Sequence, residues 1–257
     1  QASERAGGAA TSFQTFAMAR GAVDAHLRRN ETPRIAVVRR DGRPVVIFPT
    51  VLVNRFGFKV ARFLGEPLIQ YGDVLCEPGT GKRYLAAAWQ AAADPAVADA
   101  IHLRKVRADA RIAPLLKDKA TASSHDEAPF LDIARTPVRA GEEPRKLRHS
   151  RRKLTALGAL RLDVTQGENA RSHLRDALAL KRRWLTARNL ASGVIGNGDW
   201  EEALERLVDH GGGMRLRVTV LTVADRPAAY EVAFTIGDRW YAFIGAIVEE
   251  FARHSPG

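Results

Sequence analysis

The side chains that could carry chemistry in this chain are thinly spread, and most familiar spacings fail on one residue. Gly79-Thr80-Gly81-Lys82 has the tail of a phosphate-cradling loop. That motif needs Gly five residues before its last Gly and Ser or Thr after its Lys, and those positions hold Cys76 and Arg83. His210-Gly211-Gly212-Gly213 has the look of a lipase oxyanion segment, but no Gly-x-Ser-x-Gly elbow supplies a nucleophile, so it reads as a helix stop. Ser123-Ser124-His125-Asp126-Glu127 sets one His beside two acids without a second His at ligand spacing; the expectation is a solvated turn and no metal site. Cys76 is the only cysteine, which excludes an intrachain disulfide or a Cys-based zinc site, suits a reducing compartment, and reads as a small core residue. Residues 145–153, RKLRHSRRK, carry six Lys or Arg and one His, enough to touch several phosphates. No aromatic residues interleave there as in a dedicated nucleic-acid binder, so the plain reading is a solvated helix face.

The bulk composition constrains partners more than chemistry. With 257 residues, 46% hydrophobic and 27% charged, the chain can bury a sizeable core as one large domain or two small ones. The 40 Lys and Arg against 29 Asp and Glu leave a charge of +11, which favours anionic partners such as nucleic acid, phosphate-bearing cofactors or an anionic membrane surface. No signal peptide and no uncharged apolar run of roughly 20 residues is present. A cytoplasmic protein without a membrane span is expected.

These residues must be placed by elements whose periods change along the chain. Residues 1–11, rich in Ala and Gly, read as poorly ordered, and a helix is expected over 12–27 with Phe13, Phe16, Ala17 and Val23 on one side. Strands at 35–38 and 45–53 flank Arg40-Asp41-Gly42-Arg43, a hairpin signal. Strands at 58–64 and 67–75, a helix at 82–93, a strand at 101–106, a helix at 109–117 and a strand at 130–133 follow. Residues 135–144, with two prolines and a glycine, are the linker candidate. Beyond it come a basic helix over 145–157, a strand at 160–164, a helix over 170–187 with Leu174, Ala177, Leu178, Trp184 and Leu185 on one stripe, a helix at 200–208, and strands at 214–223, 228–236 and 240–246. RIAVVRRDGRPVVIFPT (34–50) and RVTVLTVADRPAAYEVAF (217–234) echo each other as strand, polar turn ending in Arg-Pro, strand.

Several of these features in order carry a resemblance. They are Arg148-His149-Ser150-Arg151-Arg152, then Lys181-Arg182-Arg183-Trp184, Arg226-Pro227-Ala228-Ala229, Trp240-Tyr241-Ala242-Phe243 and Phe251-Ala252-Arg253-His254-Ser255-Pro256-Gly257. Together they resemble the CelD-type acyltransferases of the GNAT superfamily, which are linked to cellulose or exopolysaccharide biosynthesis and are relatives of the Fem peptidoglycan aminoacyltransferases. The resemblance covers about 145–257, with looser likeness at Arg43-Pro44, Pro49 and Leu64-Gly65. It implies an α/β (α+β) protein of two GNAT-like halves, 12–140 and 141–257, with mixed, mostly antiparallel sheets flanked by helices. The second half is expected to be truncated, because the family's following helix and strand are absent and the chain stops where the loop for the acyl-CoA pyrophosphate begins.

The same resemblance implies the chemistry: transfer of an acyl group from acetyl-CoA or another acyl-CoA to an amine, without a metal, in polysaccharide or cell-envelope metabolism. Glu231 interrupts an apolar strand, where a carboxylate either faces solvent or is partly buried and suited to act as general base. Tyr241 is the candidate acid for the leaving thiolate, or a half-buried core residue. His254 is the third catalytic candidate; Arg253, Ser255 and Gly257 are the candidates for holding the cofactor at a loop whose backbone donors suit phosphate. A Fem-like transferase that uses aminoacyl-tRNA, with the basic helix as its RNA contact, and a catalytically silent scaffold stand as alternatives. Nothing in the sequence indicates an oligomeric state or the acceptor.

Overall fold

The computed structural model describes residues 11–133, 135, 144–209 and 213–256. The expectations for residues 1–10, for the interior of the 135–144 linker, for His210, Gly211 and Gly212 and for Gly257 lie outside them. The described residues open on a 3-10 turn, Ser12–Gln14, in which the Thr11 and Gln14 side chains cap each other's backbone N–H groups. Thr15 then caps a new helix, α1 (Phe16–Arg28). The expected single helix is therefore broken, and Phe16 turns out to be 77% exposed while Phe13 is buried.

The first sheet holds β1 (Thr32–Arg40), β2 (Arg43–Arg55), β3 (Phe58–Phe63), β4 (Leu75–Cys76) and, after α2 (Lys82–Ala92), β5 (Ala100–Ile101). Its order is β1-β2-β3-β5, with β4 pairing β2 beside the end of β3. All pairs are antiparallel except β3 with β5, which α2 joins as a crossover. The expected strand at 67–75 is a loop after a cis Glu66–Pro67 peptide, and only its last residue enters β4. Leu68, Ile69 and Val74 are buried from that loop, so core burial produced an apolar run that resembles a strand. Buried Asp73 ties the loop down by accepting the N–H groups of Val74, Arg111 and Ile112. Short α3 (Ala113–Lys119) follows, and 130–133 forms no strand: Phe130, Leu131 and Ile133 are exposed, with no sheet lane to join.

The second half runs α4 (Arg145–Thr155), β6 (Leu160–Thr165), α5 (Gly167–Ala187), α6 (Gly198–Leu207), β7 (Met214–Val223), β8 (Arg226–Ile236), β9 (Arg239–Ile247) and a 3-10 turn, Glu249–His254. Its sheet is antiparallel in the order β6-β7-β8-β9. Ala170, Leu174, Ala177 and Leu178 of α5 lie at helical spacing and are buried in the core that includes β7 and β8. Trp184, expected on that stripe, is partly exposed, stacked under Lys181 and Arg188 at 4.1 and 4.4 Å from its ring centre.

The sequence echo is a structural one. Asp41 and Gly42 turn β1 into β2 with positive φ, and Ala224 and Asp225 do the same between β7 and β8. In each hairpin the register slips at the residue after Arg-Pro, leaving Val45 and Ala228 unpaired and both buried. The sheets share one core that includes Met18, Phe48 and Phe63 with Leu204, Met214 and Phe234. Across the join, Phe13 packs edge-on against Tyr71, Phe234 and Tyr241, and Trp200 packs edge-on against His26 at 4.9 Å.

Candidate functional site

Strand alternation sorts the expected site residues onto different surfaces. On β8, Tyr230, Val232 and Phe234 point into the core, so Glu231 points to the other face, opposite Thr219 and Gly245. There its Oε1 accepts the indole N–H of Trp240 at 2.7 Å. Tyr241 lies on the inner face, packed 5.7 Å from Phe13 and 6.2 Å from Tyr71 between ring centres. Its hydroxyl is buried with no hydrogen-bond partner among the described residues. Glu231 and Tyr241 are thus separated by the sheet.

His254, Arg253 and Ser255 are together at the other end of β9, roughly 20 Å of strand from Tyr241 to Ile247. Phe251 anchors this turn in a small cluster with Leu154, Val223 and Ala228, and Arg226 spans it by pairing with Glu250 and lying over the Phe251 ring. Arg253 Nε donates to His254 Nε2 at 3.0 Å, which leaves Nδ1 as the protonated ring nitrogen of a neutral His254. Ser255 takes a left-handed backbone conformation at φ +53, a strained state for a residue with a Cβ. The turn holds three of the expected residues; Gly257 lies outside the described ones.

Between these extremes the edge of β9 borders a cleft of about 290 Å³ at the junction of the halves. The first half contributes Glu66, Gln70, Arg104 and Lys105; the second contributes the 192–195 loop between α5 and α6 and, from β9, Phe243 and Ile244. The α5–α6 loop touches the first half so closely that a Cβ on Gly193 would sit 2.8 Å from the Pro67 ring. Glu66 is only 4% exposed. Its Oε2 accepts from Nε and one terminal nitrogen of Arg62, at 3.1 and 2.5 Å, while its Oε1 is buried without a partner among the described residues. Lys105 donates to the Ile69 carbonyl at 3.1 Å and to Gln70 Oε1 at 3.2 Å. Burial, then the adjacent Arg104, pull its pKa below the ordinary lysine value, and Glu66 pulls it back. Arg104 has no carboxylate partner among the described residues.

Sequence reasoning missed this cleft. Its charged residues come from two separated segments, and neither forms a motif; the one local signal was Gly65-Glu66-Pro67, an acid held in a Gly/Pro turn. Among the described residues, no group of three or more His, Cys, Asp or Glu could hold a metal ion, and no helix is long and apolar enough to cross a membrane.

Residues 143–257 match the family model for an acetyltransferase (GNAT) domain. The match takes in α4, the whole second sheet and the turn after β9, and leaves the first sheet outside it. No curated protein matches the chain.

Proposed function

We propose that the protein is an acyl-CoA-dependent N-acyltransferase. The observation that carries this reading is the GNAT acetyltransferase match over 143–257, which includes β9, a strand whose far side has no partner among the described residues. An edge strand presents unpaired N–H and C=O groups, and an extended molecule with amides, as in the arm of coenzyme A, can add to it like another strand. Acyl-CoA supplies an activated thioester. The amine nitrogen bonds to the acyl carbon, the carbon–sulfur bond breaks, and the proton given up by the amine ends on the departing sulfur.

In this reading Tyr241, on the inner face and about 7 Å along the strand from Phe243, is the acid for the leaving sulfur. Arg253, His254, Ser255 and Gly257 hold the pyrophosphate beyond the other end of β9. Glu231, on the far face, acts by bracing Trp240 rather than by touching the reacting atoms. The CelD-type assignment, with an acceptor from polysaccharide or cell-envelope metabolism in the cytoplasm, rests on the motif resemblance.

Calorimetric titration of acetyl-CoA and coenzyme A tests the reading. Saturable binding weakened by Arg253→Ala is expected; absence of any binding, by this chain and by a form extended beyond residue 257, overturns it. A Tyr241→Phe variant should lose about 10²-fold or more in turnover with little change in acetyl-CoA binding, as removal of a general acid does. A second reading, transfer from aminoacyl-tRNA, draws on α4, whose six Lys and Arg are all exposed while Leu154 alone is buried. Saturable, strongly salt-dependent tRNA binding by a protein that ignores acetyl-CoA would favour it.

A further inference from the structure

We propose that the cleft between the halves binds the acceptor, and that the acceptor is a small molecule carrying both a primary amine and an anionic group. This names the acceptor class for the acyl transfer above and rests on that reading.

The argument starts from Glu66. A carboxylate taken out of water needs its oxygens satisfied, and an unpaired buried acceptor costs about 1–3 kcal/mol. Arg62 serves Oε2 twice and leaves Oε1 with nothing among the described residues, and Glu66 lines the cleft at the junction of the halves. The group that would complete it is an N–H or O–H donor arriving from the cleft, and an amine is the strongest of these because the bond is charge-assisted.

Arg104 and Lys105 supply the opposite sign on the same wall. Lys105 has two of its three donors committed, to Ile69 and Gln70, while Arg104 has no carboxylate partner among the described residues. An anionic group on the ligand therefore has two cations to meet at the cleft while the amine reaches Glu66. The opposite wall is Ser192, Gly193 and Val194, with Phe243 and Ile244 of β9 as an apolar flank. A volume of about 290 Å³ lies at the low end of small-molecule sites, which begin near 300 Å³, and admits a sugar- or amino-acid-sized ligand rather than a polymer. Placement beside β9 puts that ligand next to the strand edge assigned above to acyl-CoA.

The test is calorimetry on the whole chain with four probes: glucosamine 6-phosphate and L-glutamate, each with amine and anion, glucosamine with the amine alone, and glucose 6-phosphate with the anion alone. At least one of the first two should bind saturably and about tenfold or more tighter than both single-charge probes. Phosphate or carboxylate as the anion is told by which of the two wins. Arg104→Ala should erase the advantage over glucosamine, and Glu66→Gln the advantage over glucose 6-phosphate. Because Glu66→Gln strips a buried partner from Arg62 and can unfold the protein, Gly193→Ala serves as a second variant. Its methyl enters the contact with Pro67, and binding should weaken at least about tenfold while the far-ultraviolet spectrum is kept.

The proposal is overturned if no probe binds, if a single-charge probe binds as tightly as the best amine-plus-anion probe, or if folded Gly193→Ala protein binds unchanged. These titrations need no acyl-CoA. Probe binding without acetyl-CoA binding would sink the acyltransferase reading and leave a zwitterion site; acetyl-CoA binding without probe binding would do the reverse.

Discussion

The two hairpins of the molecule, β1–β2 and β7–β8, are built alike and end up in different surroundings. Each turns through two residues at positive φ, each carries Arg-Pro after the turn, and each slips register at the next, buried residue. Each arginine reaches a glutamate beyond its sheet's later strand, Arg43 to Glu77 and Arg226 to Glu250. The sheets part company one strand further on. The far side of β3 is taken by parallel β5, delivered by α2, whereas the far side of β9 is unpaired among the described residues and borders the junction cleft. The same supersecondary unit thus has its third strand paired on the far side in the first half and, among the described residues, unpaired there in the second.

The largest expected effect comes from breaking the shared core. Trp200 is 1% exposed and packs across the join against His26. Trp200→Ala should cost about 3–5 kcal/mol, read by urea unfolding. Unfolding should stay a single transition, because the two halves share one core; two separated transitions would break the comparison by showing halves that fold independently.

A smaller effect sits in the same contact. His26 is buried and held neutral: Nδ1–H donates to Glu31 at 2.6 Å, and Nε2 accepts the N–H of Gly65, next to Glu66, at 3.1 Å. Burial lowers its pKa below the ordinary imidazole value, outweighing the pull of Glu31. The unfolded chain therefore takes up the proton first. The contribution of His26 is whole above pH about 6.5 and falls as pH drops below it, by at most about 1.4 kcal/mol per unit, down to the folded pKa. The difference in stability between wild type and a His26→Asn variant, followed from pH 7.5 to 5, should shrink on acidification; a constant difference would detach the Gly65 turn from His26.

The smallest effect compares the matched arginines directly. Arg43→Ala and Arg226→Ala should each cost no more than about 1 kcal/mol, as exposed pairs do. Arg43 should cost the more of the two, since the Glu77 side chain is 14% exposed and that of Glu250 48%. Equal losses in chemical denaturation would show that the two hairpins are held alike in energy as well as in form.

Local pattern was enough to read the strands of both hairpins, helix α5, the burial of Cys76 and the strand-turn-strand echo, because alternation, helical spacing and turn chemistry act between near neighbours in the chain. It failed where an apolar run had to find a partner. Leu68 and Ile69 are buried without a strand, Phe130 and Leu131 stay outside without one, and Phe16 and Trp184 face away from the core. Alternation also showed that Glu231 and its neighbours must face opposite ways, yet not which face would be covered; the packing of Phe13 and α5 decided that. Arg253, His254 and Ser255 share one turn simply because they adjoin in sequence. Glu66, Arg104, Lys105 and Gly193 meet only when the two sheets pack on one core, and no local spacing encodes a contact between segments so far apart.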